Sequence, residues 1–310
     1  MTKERVNITV HMLSRGRSSQ LTAALMSLRD NESGENEVRY VVACDVDDKA
    51  TIGTLYNLQA KLPLGYRVGE RPVSLDALHN QICLDVPGDV YVCFLDDGLC
   101  LTKGWDKPVA DAWRANPKGL WWWKSKGDDL TLAPITSHAW FEAAGGRIFP
   151  EHFPFWWGDT WLSEVWVLAT ERNLAFLDAE FLDCPKKTGN MRELKFWHDF
   201  YLWLQPQRIA EAKAIAERLG LPKPTITGAL AQIVGKPNPD FVKRIDEIER
   251  IQGDVTEPHE GYRIAKERAV AMMAAGRVME FPEITLADLL TPEVVEILNR
   301  EFPAIAPTHA

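Results

Sequence analysis

Three short apolar runs of strand length, alternating with helical patterns, govern what the first half of this chain can fold into. They are residues 6–13 (VNITVHML), 38–44 (VRYVVAC) and 90–95 (VYVCFL). Residues 18–29 (SSQLTAALMSLR) make a helix that Ser18 or Ser19 can cap, residues 75–84 make another, and a weak strand is expected over 66–68. Strands alternating with helices predict an α/β sheet with parallel strands, and ligands of such sheets bind beyond the carboxyl ends of the strands. Two of those ends are acidic. Asp45, Asp47 and Asp48 close one run, and Asp96 and Asp97 close another.

Composition narrows the class. A chain of 310 residues suits one large domain with an appendage, or two domains. We expect a boundary near Gln205, where the Trp-rich middle gives way to plain amphipathic patterns over 208–219, 241–251 and 264–275. The formal net charge is -9, which gives no reason to expect tight binding to a polyanion. Five Cys without paired short spacings argue against a disulfide framework or a zinc site and fit a reducing cytoplasm. No apolar signal core follows the N-terminus, and no run approaches the roughly 20 residues of a membrane span.

The acidic strand ends carry the chemistry. A hard cation such as Mg²⁺ or Mn²⁺ takes carboxylate and phosphate oxygens, so carboxylates at a strand end can hold it against a diphosphate. Asp96 and Asp97 repel one another, and a cation relieves that cost; we read the pair as functional. For Asp47 and Asp48, capping of the next helix is an equal reading. The second signal is residues 153–162 (FPFWWGDTWL), where Asp159 opens a helical pattern among Trp156, Trp157 and Trp161. Two readings stand: a helix N-cap with aromatics as core, or a general base beside a sugar, its pKa raised by desolvation. Eight of the 12 Trp fall between residues 119 and 183. That clustering favours an aromatic wall around Asp159 over general core filling. Trp121, Trp122 and Trp123 form a strand whose neighbours face opposite sides, so most are core. Gly145 and Gly146 would let a loop approach a sugar. Arg15 and Arg17 either pair with phosphate or lie on a solvated loop, and Lys186, Lys187 and Arg192 read as a charged surface loop.

The order of these features resembles the GT-A glycosyltransferases, particularly the inverting family 2 type, over roughly residues 6–183. The parallels are ITVHMLSRGRSSQLTAALMSL, then VVACD, then LHNQICLDVPGDVYVCFLDDGLCLTKGWD, then WWGDTWL. The resemblance implies an α/β fold: a GT-A mixed sheet flanked by helices over 1–205. A C-terminal helical region over 206–310 would serve acceptor binding, packing or oligomerisation. It also implies site roles. Asp45 would bond the nucleobase, with Ser14, Arg15, Arg17 and Asn80 around the nucleotide. Asp96 would face the ribose and Asp97 the metal, although which of the two holds metal is open. His198 is the candidate ligand behind the diphosphate; packing among aromatics is its other reading. Asp159 would deprotonate the acceptor, and Trp122, Gly146, Trp156, Trp157 and Trp161 would line the sugar and acceptor pocket. The sequence departs from the pattern at Gly98, where many members have another Asp.

The function expected is a Mn²⁺- or Mg²⁺-dependent, inverting transfer of a sugar from a nucleotide-diphosphate donor, UDP-sugar favoured, to the hydroxyl of a glycan or lipid-linked glycan. One alternative is a bacteriophage-type glycosyltransferase acting on hydroxymethylated bases in DNA. Another is a non-catalytic relative that binds a sugar nucleotide or glycan.

Overall fold

A computed structural model describes residues 4–126, 133–154, 157–183, 193–224 and 260–274. Its frame is one eight-stranded mixed sheet of order β3-β2-β1-β4-β7-β6-β8-β5. β1 (Asn7–Ser14) lies between β2 (Glu37–Asp45) and β4 (Val90–Cys93), parallel to both, and β3 (Leu64–Gly69) extends the parallel set. β7 (Pro134–Ser137) runs antiparallel between β4 and β6 (Leu120–Ser125). β8 (Phe176–Asp183) and β5 (Gly98–Cys100) complete the sheet.

Buried on both faces, the central strands are apolar throughout rather than alternating. Ile8, Val10 and Met12 meet Leu21, Leu25 and Leu28 of α1 (Ser18–Asp30) in a core shared with α2 (Lys49–Leu58) and α4 (Asp106–Ala115). On the other face Thr9 and His11 reach α3 (Leu75–Asp85) and the residue after it. The three Trp of β6 divide as strand geometry requires: Trp121 and Trp123 enter the first core and Trp122 the second.

The second core is built by α5 (His138–Ala143), α6 (Gly158–Thr170), α7 (Leu194–Trp203), α8 (Gln205–Arg218) and α9 (Glu260–Ala274). It crosses the boundary expected near Gln205. Ala212, Ile215 and Ala216 of α8 belong to the same cluster as Trp161 and Val165 of α6. α7 and α8 are separated by Leu204 alone, which is itself buried in that cluster. Beneath them Arg208 is fully buried, with its Nε 2.6 Å from Glu164 Oε2 and its guanidinium 3.9 Å over the Tyr201 ring. In α9 the Tyr262 hydroxyl accepts from Trp197 Nε1 at 2.9 Å and donates to Glu193 at 2.8 Å. The helical pattern at 241–251, and the cluster of Lys186, Lys187 and Arg192, lie outside the described residues.

Candidate active site

β2, β1 and β4 are neighbours, so their carboxyl ends deliver Asp45, Ser14 and the Asp96–Asp97 pair to one edge. The loop after β1 crosses that edge with two arginines. Arg15 Nη1 donates to Asp45 at 2.6 Å and to Asp47 at 2.5 Å, and its Nη2 donates to the second Asp47 oxygen at 2.8 Å. Gly16 turns the loop at φ 65°, a conformation that favours glycine, and its amide donates to Asp48 Oδ2 at 2.6 Å. Asp48 also accepts from Thr51 N at 3.2 Å, so it is the cap of α2. Of the three acidic residues after β2, Asp48 is structural and Asp45 and Asp47 face Arg15.

Arg17 ends the loop. Its Nη1 lies 2.9 Å from Asp96 Oδ1 and 2.8 Å from Asp97 Oδ2. One nitrogen between two carboxylates marks a place where their oxygens converge on a single positive charge. Paired hard oxygen donors of this kind suit Mg²⁺ or Mn²⁺. Burial raises the Asp96 pKa, and Arg17 opposes that rise. Gly98 has a local reason to lack a side chain. A Cβ there would sit 3.2 Å from the Phe94 ring and 3.4 Å from Leu95 Cβ.

Beside Asp45 lies a cavity of about 270 Å³, lined by Cys44, Gly69, Glu70, Pro72 and Leu78 among others. Gly69 is the register partner of Asp45, so cavity and carboxylate adjoin. Arg71 also approaches Asp45, at 3.9 Å. The segment around residues 69–72 carried no signal in the sequence. It has neither periodicity nor a clustered charge, and only the pairing of β3 with β2 brings it here.

The base candidate stands on α6. Asp159 is half-buried, and its Oδ1 accepts from Thr160 N at 2.8 Å. Desolvation is the largest influence on it and raises its pKa. Trp157, in the left-handed conformation at φ 77°, starts the helix and stacks on Tyr201 with ring centroids 4.9 Å apart. Gly158 follows because a Cβ there would lie 2.7 Å from Asp76 Oδ1. Asp76, in the first turn of α3, is a second buried carboxyl beside the base, and burial raises its pKa well above the ordinary value. The sequence pattern gave it no role beyond its place in the helix over 75–84. Cys93, three residues before Asp96, feels the charge of both Asp76 and Asp159, so the base side flanks the end of β4.

Several expected site residues have other roles. Trp122 is 0% exposed and cannot line a pocket. Trp161 is likewise buried, with Nε1 donating to Glu211 at 2.9 Å. Gly146 has φ 77° and helps end α5, its amide donating to Phe141 O. It lies beside Leu84, eight residues from Asp76 on α3 and so about 12 Å along the helix. Trp156 lies outside the described residues. Trp157 is 6% exposed and stands between the base and α7. The aromatic wall is thus mainly a scaffold for the start of α6, because rings this large fill the space between sheet and helices. His198 sits on that side too, 5.4 Å from the Trp157 ring and 3.6 Å from Asp199. Asn80 spends its amide on the chain before the base: its oxygen accepts from Ile148 N and Phe149 N, and its nitrogen donates to Phe149 O.

These features define a GT-A-like glycosyltransferase fold. Among solved structures, the chain is similar to mannosyltransferase PcManGT from Pyrobaculum calidifontis in complex with GDP-Man and Mn²⁺. The TM-score is 0.51 and the identity 15%, over 97% of this chain and 83% of that one. It is also similar to residues 1–349 of S. aureus TarS in complex with UDP-GlcNAc, with TM-score 0.54 and 14% identity, over 87% of this chain and 81% of that one. No protein-family model matches the chain. No curated protein matches it by sequence.

Proposed function

We propose that the chain transfers a sugar from a nucleotide-diphosphate donor to an acceptor hydroxyl, with inversion. The observation that carries this reading is the convergence of Asp45, Arg15, Arg17, Asp96 and Asp97 on adjacent strand ends, beside a cavity of nucleobase size. Asp45 and the cavity would take the base, with Ser14 beside Asp96 at the nucleotide and Asn80 holding the chain that leads to the catalytic base. Asp96 and Asp97 would hold Mn²⁺ or Mg²⁺, which when bound offsets charge on the leaving diphosphate. Arg15 and Arg17 then turn from carboxylates to phosphate oxygens. The half-buried Asp159 takes the acceptor proton as the acceptor oxygen attacks the anomeric carbon opposite the nucleotide. His198 we assign to the same wall, steadying Trp157. The helices after residue 205 support the base from behind.

A glycan or lipid-linked glycan remains the acceptor we favour. No helix of the described residues is long and apolar enough to cross a membrane. The free buried thiols Cys44, Cys83, Cys93 and Cys100 agree with a cytoplasmic setting. The test is a thermal-shift screen of nucleotide sugars with and without Mn²⁺, followed by donor hydrolysis and transfer. One donor should stabilise the protein, by about 2.7 kcal/mol at a hundredfold excess over Kd. Asp97→Ala should lose the Mn²⁺-dependent part. Stabilisation by no donor would sink the proposal, and binding without turnover under several acceptors would leave only a sugar-nucleotide binder.

A further inference from the structure

Behind the strand ends, three groups that no step of the proposed transfer uses face one another. His11 of β1 and Cys93 of β4 are register partners, and His79 reaches them from α3. The Nδ1 atoms of the two imidazoles are 2.8 Å apart, and Cys93 Sγ is 3.9 Å from His79 Nε2. Taking one ligand atom from each residue, all three lie within 4.8 Å of one another.

Packing alone explains this cluster poorly. A single proton serves the Nδ1–Nδ1 contact, and His11 Nε2 is then buried with no partner. Asp76 precedes His79 by three residues, which places both on one face of α3, and Asp76 Oδ2 is also buried without a partner. The cluster therefore offers two imidazoles and a thiol from three elements, with more donor capacity than the protein satisfies.

We propose that His11, His79 and Cys93 form a site for a borderline-soft divalent cation of the Zn²⁺ type, with Asp76 or water in the fourth position. Tetrahedral Zn²⁺, with bonds of about 2.0–2.1 Å to nitrogen and about 2.3 Å to sulfur, sets ligand atoms about 3.3–3.6 Å apart. With one ligand atom from each residue the cluster spans no more than 4.8 Å, so side-chain shifts of about 1 Å would close it to that spacing around an ion. His79 is only half-buried, which leaves an ion a way in. The donor set is unlike the all-oxygen pair Asp96 and Asp97, so the two sites select different metals. The bound ion would pin β1, β4 and α3 together under the cleft. This site does not depend on the donor reading.

The test is Co²⁺ titration of the chelator-stripped full chain, followed by absorption. One equivalent should give the intense visible bands of tetrahedral Co²⁺ and a near-ultraviolet thiolate charge-transfer band, and Zn²⁺ should bleach both. Cys93→Ala should remove the thiolate band, and His11→Ala should weaken binding at least a hundredfold. Asp97→Ala should leave the spectrum intact. Only weak octahedral bands in the wild-type protein would overturn the proposal without recourse to any variant. So would a thiolate band that survives Cys93→Ala in protein whose circular dichroism is unchanged.

Discussion

At the scale of single residues, Asp159 is the decisive side chain. Its helix-start position and its desolvation were legible from WWGDTWL, but the Asp76 carboxyl beside it was not. Burial keeps a proton on it to higher pH than on an exposed aspartate, which suits a base. Asp159→Asn should lower transfer about 10²–10⁴-fold while donor affinity, read by calorimetry, stays within a factor of two. The acidic limb of the wild-type rate profile should lie above the ordinary carboxylate range. Stability carries the matching sign. The folded carboxyl binds its proton more tightly than the unfolded one, so burial of the charged form costs stability in full above the raised value. That cost fades as pH falls towards the ordinary carboxylate range. Asp159→Asn should accordingly raise Tm at neutral pH, and the gain should shrink through that window. Asp76 is the opposite case of legibility, because its neighbours are Gly158 and Asp159, more than 80 positions away in the chain.

Among elements, the start of α6 is set by contacts that no local pattern encodes. Gly158→Ala would push a Cβ to within 2.7 Å of the Asp76 carboxylate. A displacement of about 1 Å at the base can cost on the order of 10²-fold, so kcat should fall by that order while donor binding holds. Deeper in, α6 and α8 are joined by the buried pair of Glu164 and Arg208. Glu164→Ala strands the guanidinium and should cost about 3 kcal/mol in urea unfolding, the low end for a buried pair because Glu164 is 17% exposed. Long periodic elements were readable: α1, α3, α8, and the strands β1, β2 and β6. β4 is shorter than its apolar run, ending at Cys93 rather than Leu95. β5 escaped notice, since three residues are too few to show alternation and are fixed by pairing with β8.

For the whole molecule, the question is what the acceptor is. The net charge is -9 and, among the described residues, the arginines of the cleft are matched by carboxylates, which disfavours a phosphate backbone there. Duplex DNA, with or without hydroxymethylated bases, should therefore show no tight retention at physiological salt in a mobility-shift assay. Retention that falls steeply with salt, together with sugar transfer to the modified duplex, would move the acceptor from glycan to DNA. The second core bears on the same question. Because α8 and α9 complete the packing behind α6 and α7, deletion from residue 206 onward would expose Trp161 and Trp197. In the proposed function, α8 and α9 act on the cleft as part of its support.

The sequence by itself determined the alternation of strands and helices, the acidic ends of β2 and β4, and the candidate base. Each of these is encoded within a few consecutive residues by hydrophobic period or by charge. Only the tertiary structure decided which carboxylates meet which arginines, that Asp48 caps a helix while Asp45 adjoins a cavity, and that most of the tryptophans are scaffold. It alone brought Asp76 to Asp159 and His11 to His79 and Cys93. The reason is physical: sheet order and helix docking set distances between residues far apart in the chain, and burial, not residue type, sets the proton affinity of what is brought together.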